Sequence, residues 1–139
     1  YQRRRCCRLR PPAPHLPPSP DTEAFREGAA AYKGALDFAQ FAYWQDGETL
    51  HARMFAPLDN IPEDPATGSA CAALGAFLAR LSSAPVAFTV LQGSDMGRPS
   101  RIGLQARDGR VTIAGQAVKT MQGQLTLSPL PLAKSPELG

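Results

Sequence analysis

The spacing of hydrophobic and polar positions changes several times along this chain, and each change marks a new element. Residues 21–35 (DTEAFREGAAAYKGA) open with Asp21 or Thr22 as N-cap and Glu23 in the first turn, and their alanines favour a short helix that Gly34 helps to end. Residues 38–44 (FAQFAYW) and 49–55 (TLHARMF) read as strands on either side of Asp46-Gly47, a turn step. In the second run Leu50, Ala52 and Met54 alternate with His51, Arg53 and Phe55, the period of a half-buried strand. Residues 68–81 (GSACAALGAFLARL) are small or apolar almost all the way round until Arg80, which predicts a helix buried on every side. Thr67 stands at its N-cap position, and Pro62 and Pro65 give it a rigid approach.

The second half is strand-like. Residues 86–92 (VAFTVLQ) lead through a polar loop to 102–107 (IGLQAR) and 110–115 (RVTIAG), which Asp108-Gly109 joins as a hairpin. Residues 117–123 (AVKTMQG) and 124–128 (QLTLS) continue the pattern. These elements predict an α+β domain in which a barrel-like sheet of antiparallel strands wraps one buried central helix. Residues 129–139 read as a loop-like tail. Six of the fourteen prolines fall between Pro11 and Pro20, so residues 1–19 are expected to be a basic, disordered lead-in to a domain spanning 20–128.

Length and charge narrow the classes. A chain of 139 residues has room for one compact domain. Five of the fifteen basic residues lie in the first ten positions, and the remainder carries ten basic and twelve acidic groups. With no aromatics among those arginines to stack bases, no specific nucleic-acid site is expected. No apolar run approaches the roughly 18 residues of a membrane span, and no secretory signal is recognisable. Cys6, Cys7 and Cys71 offer neither a disulfide framework nor a metal-binding spacing, so the expected setting is a reducing cytoplasm. His15 and His51 form no metal motif, and no metal ligand set is assigned. Phe41, Tyr43 and Trp44 suit core and sheet-surface packing, and Cys71 suits a small core residue.

The chemistry concentrates in residues 63–71 (EDPATGSAC). The first amides of a helix lack internal partners and carry the positive end of its dipole, so Gly68, Ser69 and Ala70 can receive a carboxylate or phosphate. Asp64, just outside that end, can serve as an acid/base group beside a bound substrate. Acids before helix starts are ordinary, however, and on spacing alone the favoured reading is that Glu63 and Asp64 only complement the dipole. Arg98, in the loop GSDMGRPS, suits either holding a substrate anion or tying down its own loop.

Four segments together carry a family resemblance: ARMFAP (52–57), IPEDPATGSACAALGAFL (61–78), QGSDMGRPSRI (92–102) and VTIAGQAVKTMQGQL (111–125). In order and spacing they resemble the C-terminal half of the phenazine-biosynthesis PhzF-like family. The resemblance implies one lobe of the diaminopimelate epimerase-like fold, whose two similar lobes each wrap a barrel-like sheet around a central helix and meet at an active-site cleft. It implies an isomerase that moves a proton on a small carboxylated substrate without metal or organic cofactor. On this chain it assigns catalysis to Asp64 and substrate binding to Thr67, Gly68, Ser69 and Arg98, while Cys71 is not the epimerases' catalytic cysteine.

The family's second acid, a glutamate in a Ser-Glu-Thr motif of the other lobe, has no counterpart in this sequence. The expected function is therefore that of an isomerase lobe, inactive alone. It would be completed by a complementary N-terminal lobe or by self-association. The alternative is a non-catalytic module that binds small anions.

Overall fold

The computed structural model describes residues 5–8, 21–32 and 38–126, with backbone alone for 5–8. Among the described residues, seven strands and two α-helices make an α+β unit built on one mixed sheet. The strands are β1 (Arg5–Arg8), β2 (Gln40–Asp46), β3 (Thr49–Ala56), β4 (Ile61–Asp64), β5 (Val86–Gln92), β6 (Ser100–Arg107) and β7 (Arg110–Ala114). The helices are α1 (Thr22–Ala31) and α2 (Gly68–Ser82). Along the sheet the order is β1-β2-β3-β5-β6-β7, with β4 paired to β3 beside that path.

Not all the strands are antiparallel, as the pattern had suggested. β1 runs parallel to β2, and β5 parallel to β3. A parallel pair needs a long connection between its strands, and the segment carrying β4 and α2 supplies it between β3 and β5. Four residues of the expected irregular lead-in, Arg5–Arg8, form β1; they precede the prolines, which begin at Pro11, so every backbone donor is available to a ladder. The rest of that lead-in and the tail from Pro129 lie outside the described residues. The helix stop expected at Gly34 comes earlier, α1 ending at Ala31 with Tyr32 as its C-cap. The strands expected over 117–128 do not form within 115–126, where the backbone pairs with nothing in the sheet and Val118, Met121 and Leu125 are exposed.

The two turn signals hold. Gly47 takes the left-handed conformation between β2 and β3, and Asp108 and Gly109 both do so between β6 and β7, as a two-residue hairpin turn requires. Asp21 is the N-cap of α1, its Oδ1 accepting from the Glu23 amide at 2.8 Å.

One face of the sheet presents Phe41, Tyr43, Leu50, Ala52, Met54, Val90, Ile102 and Leu104 to α2, which inserts Ala70, Cys71 and Leu74. Gly75 permits this approach, since a Cβ there would lie 2.8 Å from Leu104 Cδ1. On the other face Ala42 and Phe55 pack with Phe25 of α1 and with Phe38. β3 is therefore buried on both faces from Ala52 to Ala56, where the alternation had suggested one solvated side.

Helix α2 also departs from its pattern. It is buried along one stripe only: Phe77 is 52% and Leu81 68% exposed, because no described element packs on its outer face. Within the described residues the sheet is open, with β7 at one edge.

Candidate active site

β3 positions the site by pairing two different strands along one of its edges. Its first half pairs with β5, ending at Ala52 opposite Gln92, and its second half pairs irregularly with β4, where Met54 lies opposite Asp64 and the register shifts before Ala56 meets Ile61. The ends of β4 and β5 thus meet two residues apart on β3, which brings Gln92 to the Asp64–Thr67 turn.

Gln92 is 1% exposed and makes three contacts there. Its Oε1 accepts from the Thr67 amide at 3.1 Å, and its Nε2 donates to the Asp64 carbonyl at 2.6 Å and to Thr67 Oγ1 at 3.0 Å. The Ser100 hydroxyl shares its proton between the carbonyls of Pro65 (2.7 Å) and Gln92 (3.2 Å). Gly93, at φ +77°, lies so close to this turn that a Cβ would sit 2.3 Å from the Arg98 carbonyl oxygen and 2.9 Å from that of Pro65. Only glycine fits there. Among the described residues no buried side-chain nitrogen or oxygen is left without a partner.

The turn delivers Asp64 half-buried at the start of α2. The Thr67 hydroxyl donates to Asp64 Oδ2 at 2.6 Å, and the Ala66 amide reaches Oδ1 only at 3.4 Å. Thr67 is the N-cap residue by position, its carbonyl accepting the first helical bond from the Cys71 amide at 3.1 Å. Its hydroxyl, however, serves Asp64 and not the helix. The amides of Gly68, Ser69 and Ala70 precede that first bond and have no intrahelical acceptor. Ala70 is wholly buried, whereas Gly68 is half-buried and Ser69 exposed.

Asp64, Thr67, Gly68 and Ser69 line one pocket of about 220 Å³, floored by Met54 and Ala56. Its arrangement combines a carboxylate, a hydroxyl and helix-start amides within reach of one small ligand. Arg98 does not line it. The Arg98 side chain is exposed, and its loop is tied by its backbone amide, which donates to the Gly93 carbonyl at 3.0 Å. A larger cavity of about 330 Å³ lies at the opposite end of α2, beside Arg80, Arg107 and Arg110, and holds none of these residues.

Glu63 has a separate task. It takes Arg53 in a two-point ion pair, Oε1 to Nε at 2.8 Å and Oε2 to Nη2 at 2.7 Å, with both side chains about nine-tenths buried. Asp95 lies 3.5 Å from the same guanidinium. The hydrogen bond to Glu63 is the largest influence on Arg53 and raises its pKa above the ordinary arginine value, although burial pulls the other way. His51 stacks on Trp44 across β2 and β3, with ring centroids 4.1 Å apart. Among the described residues no cluster of three His, Cys, Asp or Glu side chains could hold a metal ion, and no helix is long and apolar enough to cross a membrane.

The sequence pattern places the helix start and offers Asp64 as a candidate, but it does not single out Gln92, Ser100 or Arg53. Gln92 did carry a signal: two residues after Val90, it places an amide on the core-facing side of a strand, where an apolar residue is the rule.

The profile of the phenazine biosynthesis-like protein family matches residues 20–123, three-quarters of the sequence and all of the site. This chain belongs to that family. Among PhzF-like relatives, the trans-2,3-dihydro-3-hydroxyanthranilate isomerase of Pseudomonas aeruginosa is 34% identical over 98 residues, covering 66% of this chain and 35% of the relative. An uncharacterised isomerase of Mesorhizobium japonicum is 40% identical over 84 residues, covering 55% of this chain and 28% of its own. One from Clostridium acetobutylicum is 36% identical over 89 residues, covering 57% and 30%. This PhzF-like chain therefore spans about a third of the length of the relatives it matches.

Proposed function

We propose that this chain is the C-terminal catalytic lobe of a PhzF-like isomerase that moves a proton on a small carboxylated metabolite without a cofactor. The observation that carries this reading is the placement of Asp64 beside Gly68 and Ser69 at the helix start, in one pocket of small-molecule size. A substrate carboxylate binds at their amides, where the positive end of α2 favours negative charge. The Asp64 carboxylate takes a proton from an adjacent carbon, the electron pair delocalises toward the bound carboxylate, and an acid across the cleft returns a proton at a second carbon. Reactant and product are isomers, so no oxidant or reductant is required. Thr67 orients Asp64, and Arg98, exposed on its loop, meets the substrate's outer end when the cleft closes.

The second acid belongs to a complementary N-terminal lobe. In the same reading, the remainder of the family fold closes the open sheet into a barrel and covers Phe77 and Leu81, making α2 central. The buried thiol of Cys71 suits a reducing, cytoplasmic setting.

The alternative is a non-catalytic anion-binding module, which needs only the pocket at the helix start. Exchange of a substrate C–H proton with deuterated water separates the two. The chain alone should show none, and adding the N-terminal lobe of a relative should restore exchange that Asp64→Asn abolishes. Exchange that persists in Asp64→Asn refutes the assignment of Asp64. A chain that stays silent with the lobe bound, yet shifts the Gly68 and Ser69 amide resonances with benzoate, is the binding module. A chain that self-associates through the Phe77–Leu81 face and excludes the added lobe replaces the complementary lobe with a second copy.

A further inference from the structure

Gln92 can sit in only one orientation. The Thr67 backbone amide can only donate and the Asp64 backbone carbonyl can only accept, so the end of Gln92 facing the first is its oxygen and the end facing the second its nitrogen. The Nε2 carries two protons, one for the Asp64 carbonyl and one for Thr67 Oγ1. Thr67 Oγ1 is thereby an acceptor, and its single proton points to Asp64 Oδ2 at 2.6 Å. The polarity runs one way, from Gln92 through Thr67 to Asp64, and two backbone groups fix it.

The two carboxylate oxygens are consequently unequal. Oδ2 accepts a short, charge-assisted bond, whereas Oδ1 has only a long contact from the Ala66 amide. A proton on Oδ2 would weaken that bond, because a carboxyl hydroxyl oxygen is a poorer acceptor than a carboxylate oxygen. Oδ1 carries no such obstacle. We propose that Gln92 and Thr67 are positioning residues that cap Oδ2 of Asp64 and leave Oδ1 as the oxygen that exchanges a proton with the substrate. This rests on the reading of Asp64 as the acid/base group, but the polarity itself is testable without catalysis.

The test is infrared difference spectroscopy of the chain made with isotope-labelled aspartate, with Asp64→Asn identifying the Asp64 carboxylate band. Thr67→Val removes the hydroxyl at nearly constant shape and should shift that band, and Thr67→Ser should return it. Gln92→Glu offers oxygen where Gln92 offers nitrogen; Thr67 then donates to the introduced carboxylate, and the Asp64 band should move although the hydroxyl is still present. An Asp64 band unmoved in Thr67→Val, or unmoved in Gln92→Glu with native amide dispersion, overturns the proposal. In the assembled two-lobe protein, Thr67→Val should lower the exchange rate about a hundredfold with KM nearly unchanged, and Thr67→Ser should restore most of it. If the bands respond as expected while Asp64→Asn still exchanges, the relay stands and the catalytic role of Asp64 falls.

Discussion

Replacing Glu63 with leucine tests whether the Arg53–Glu63 pair fastens the hairpin that carries the site. At an effective dielectric near 20, charges about 4 Å apart attract by about 4 kcal/mol. Taking each ion out of water costs several kcal/mol, so the intact pair lies near break-even. Glu63→Leu removes the attraction and leaves much of the Arg53 cost in place, since that side chain is only 9% exposed and Asp95, the other carboxylate beside it among the described residues, is 55% exposed and largely screened. The expected loss is about 3–5 kcal/mol. The double variant Arg53→Met, Glu63→Leu puts apolar groups in the same space and should recover most of it.

Equilibrium urea unfolding, followed by far-ultraviolet circular dichroism and by the fluorescence of Trp44, measures both, with equal slopes required for the comparison. A loss below about 1 kcal/mol in Glu63→Leu, or a double variant no more stable than the single, would refute the reasoning. The sign with pH follows from the raised pKa of Arg53. Its contribution is complete below the ordinary arginine range and is lost only as pH rises through the folded value, so it adds no pH dependence near neutrality.

Gly93→Ala should unfold the chain or loosen the turn at Asp64, because the added Cβ meets two backbone carbonyls and the residue needs positive φ; a melting temperature and amide spectrum equal to wild type would contradict the packing described. In a Cys6→Ser, Cys7→Ser background, Cys71 should react with a disulfide reagent only at the rate of unfolding, since it is fully buried; rapid stoichiometric reaction in the native state would place it elsewhere.

The elements of this fold were largely legible because local rules decide them. Asp21 caps α1, and Asp108-Gly109 turns β6 into β7, through contacts within a few residues. What the pattern misjudged was partnership. Arg53 looked like a solvated position because alternation cannot reveal that Glu63, ten residues on, comes back to neutralise it. The α2 sequence is apolar on all sides, yet its described neighbours cover one, so composition recorded a burial that these residues do not supply. The strands expected over 117–128 form no ladder as far as 126, although β7 leaves a sheet edge open: strand propensity by itself does not secure pairing. Asp64 was singled out as a candidate by its place before a helix start together with the family resemblance, whereas Gln92 was not, because its contacts depend on β4 and β5 sharing one edge of β3.

The tethers of the Asp64 turn have a kinetic meaning. Gln92 and Ser100 hold it from 25 to 35 positions further along the chain, so no short peptide spanning residues 57–82 contains what shapes the turn. The turn must await the docking of β5 and β6, a non-local step that comes at the cost of closing a long loop. In the native state the dependence runs in reverse. A fluctuation that parts β5 from β3 dissolves the pocket while α2 stays helical, so amide exchange at Thr67 should follow the opening of β5, and not the fraying of the helix it begins.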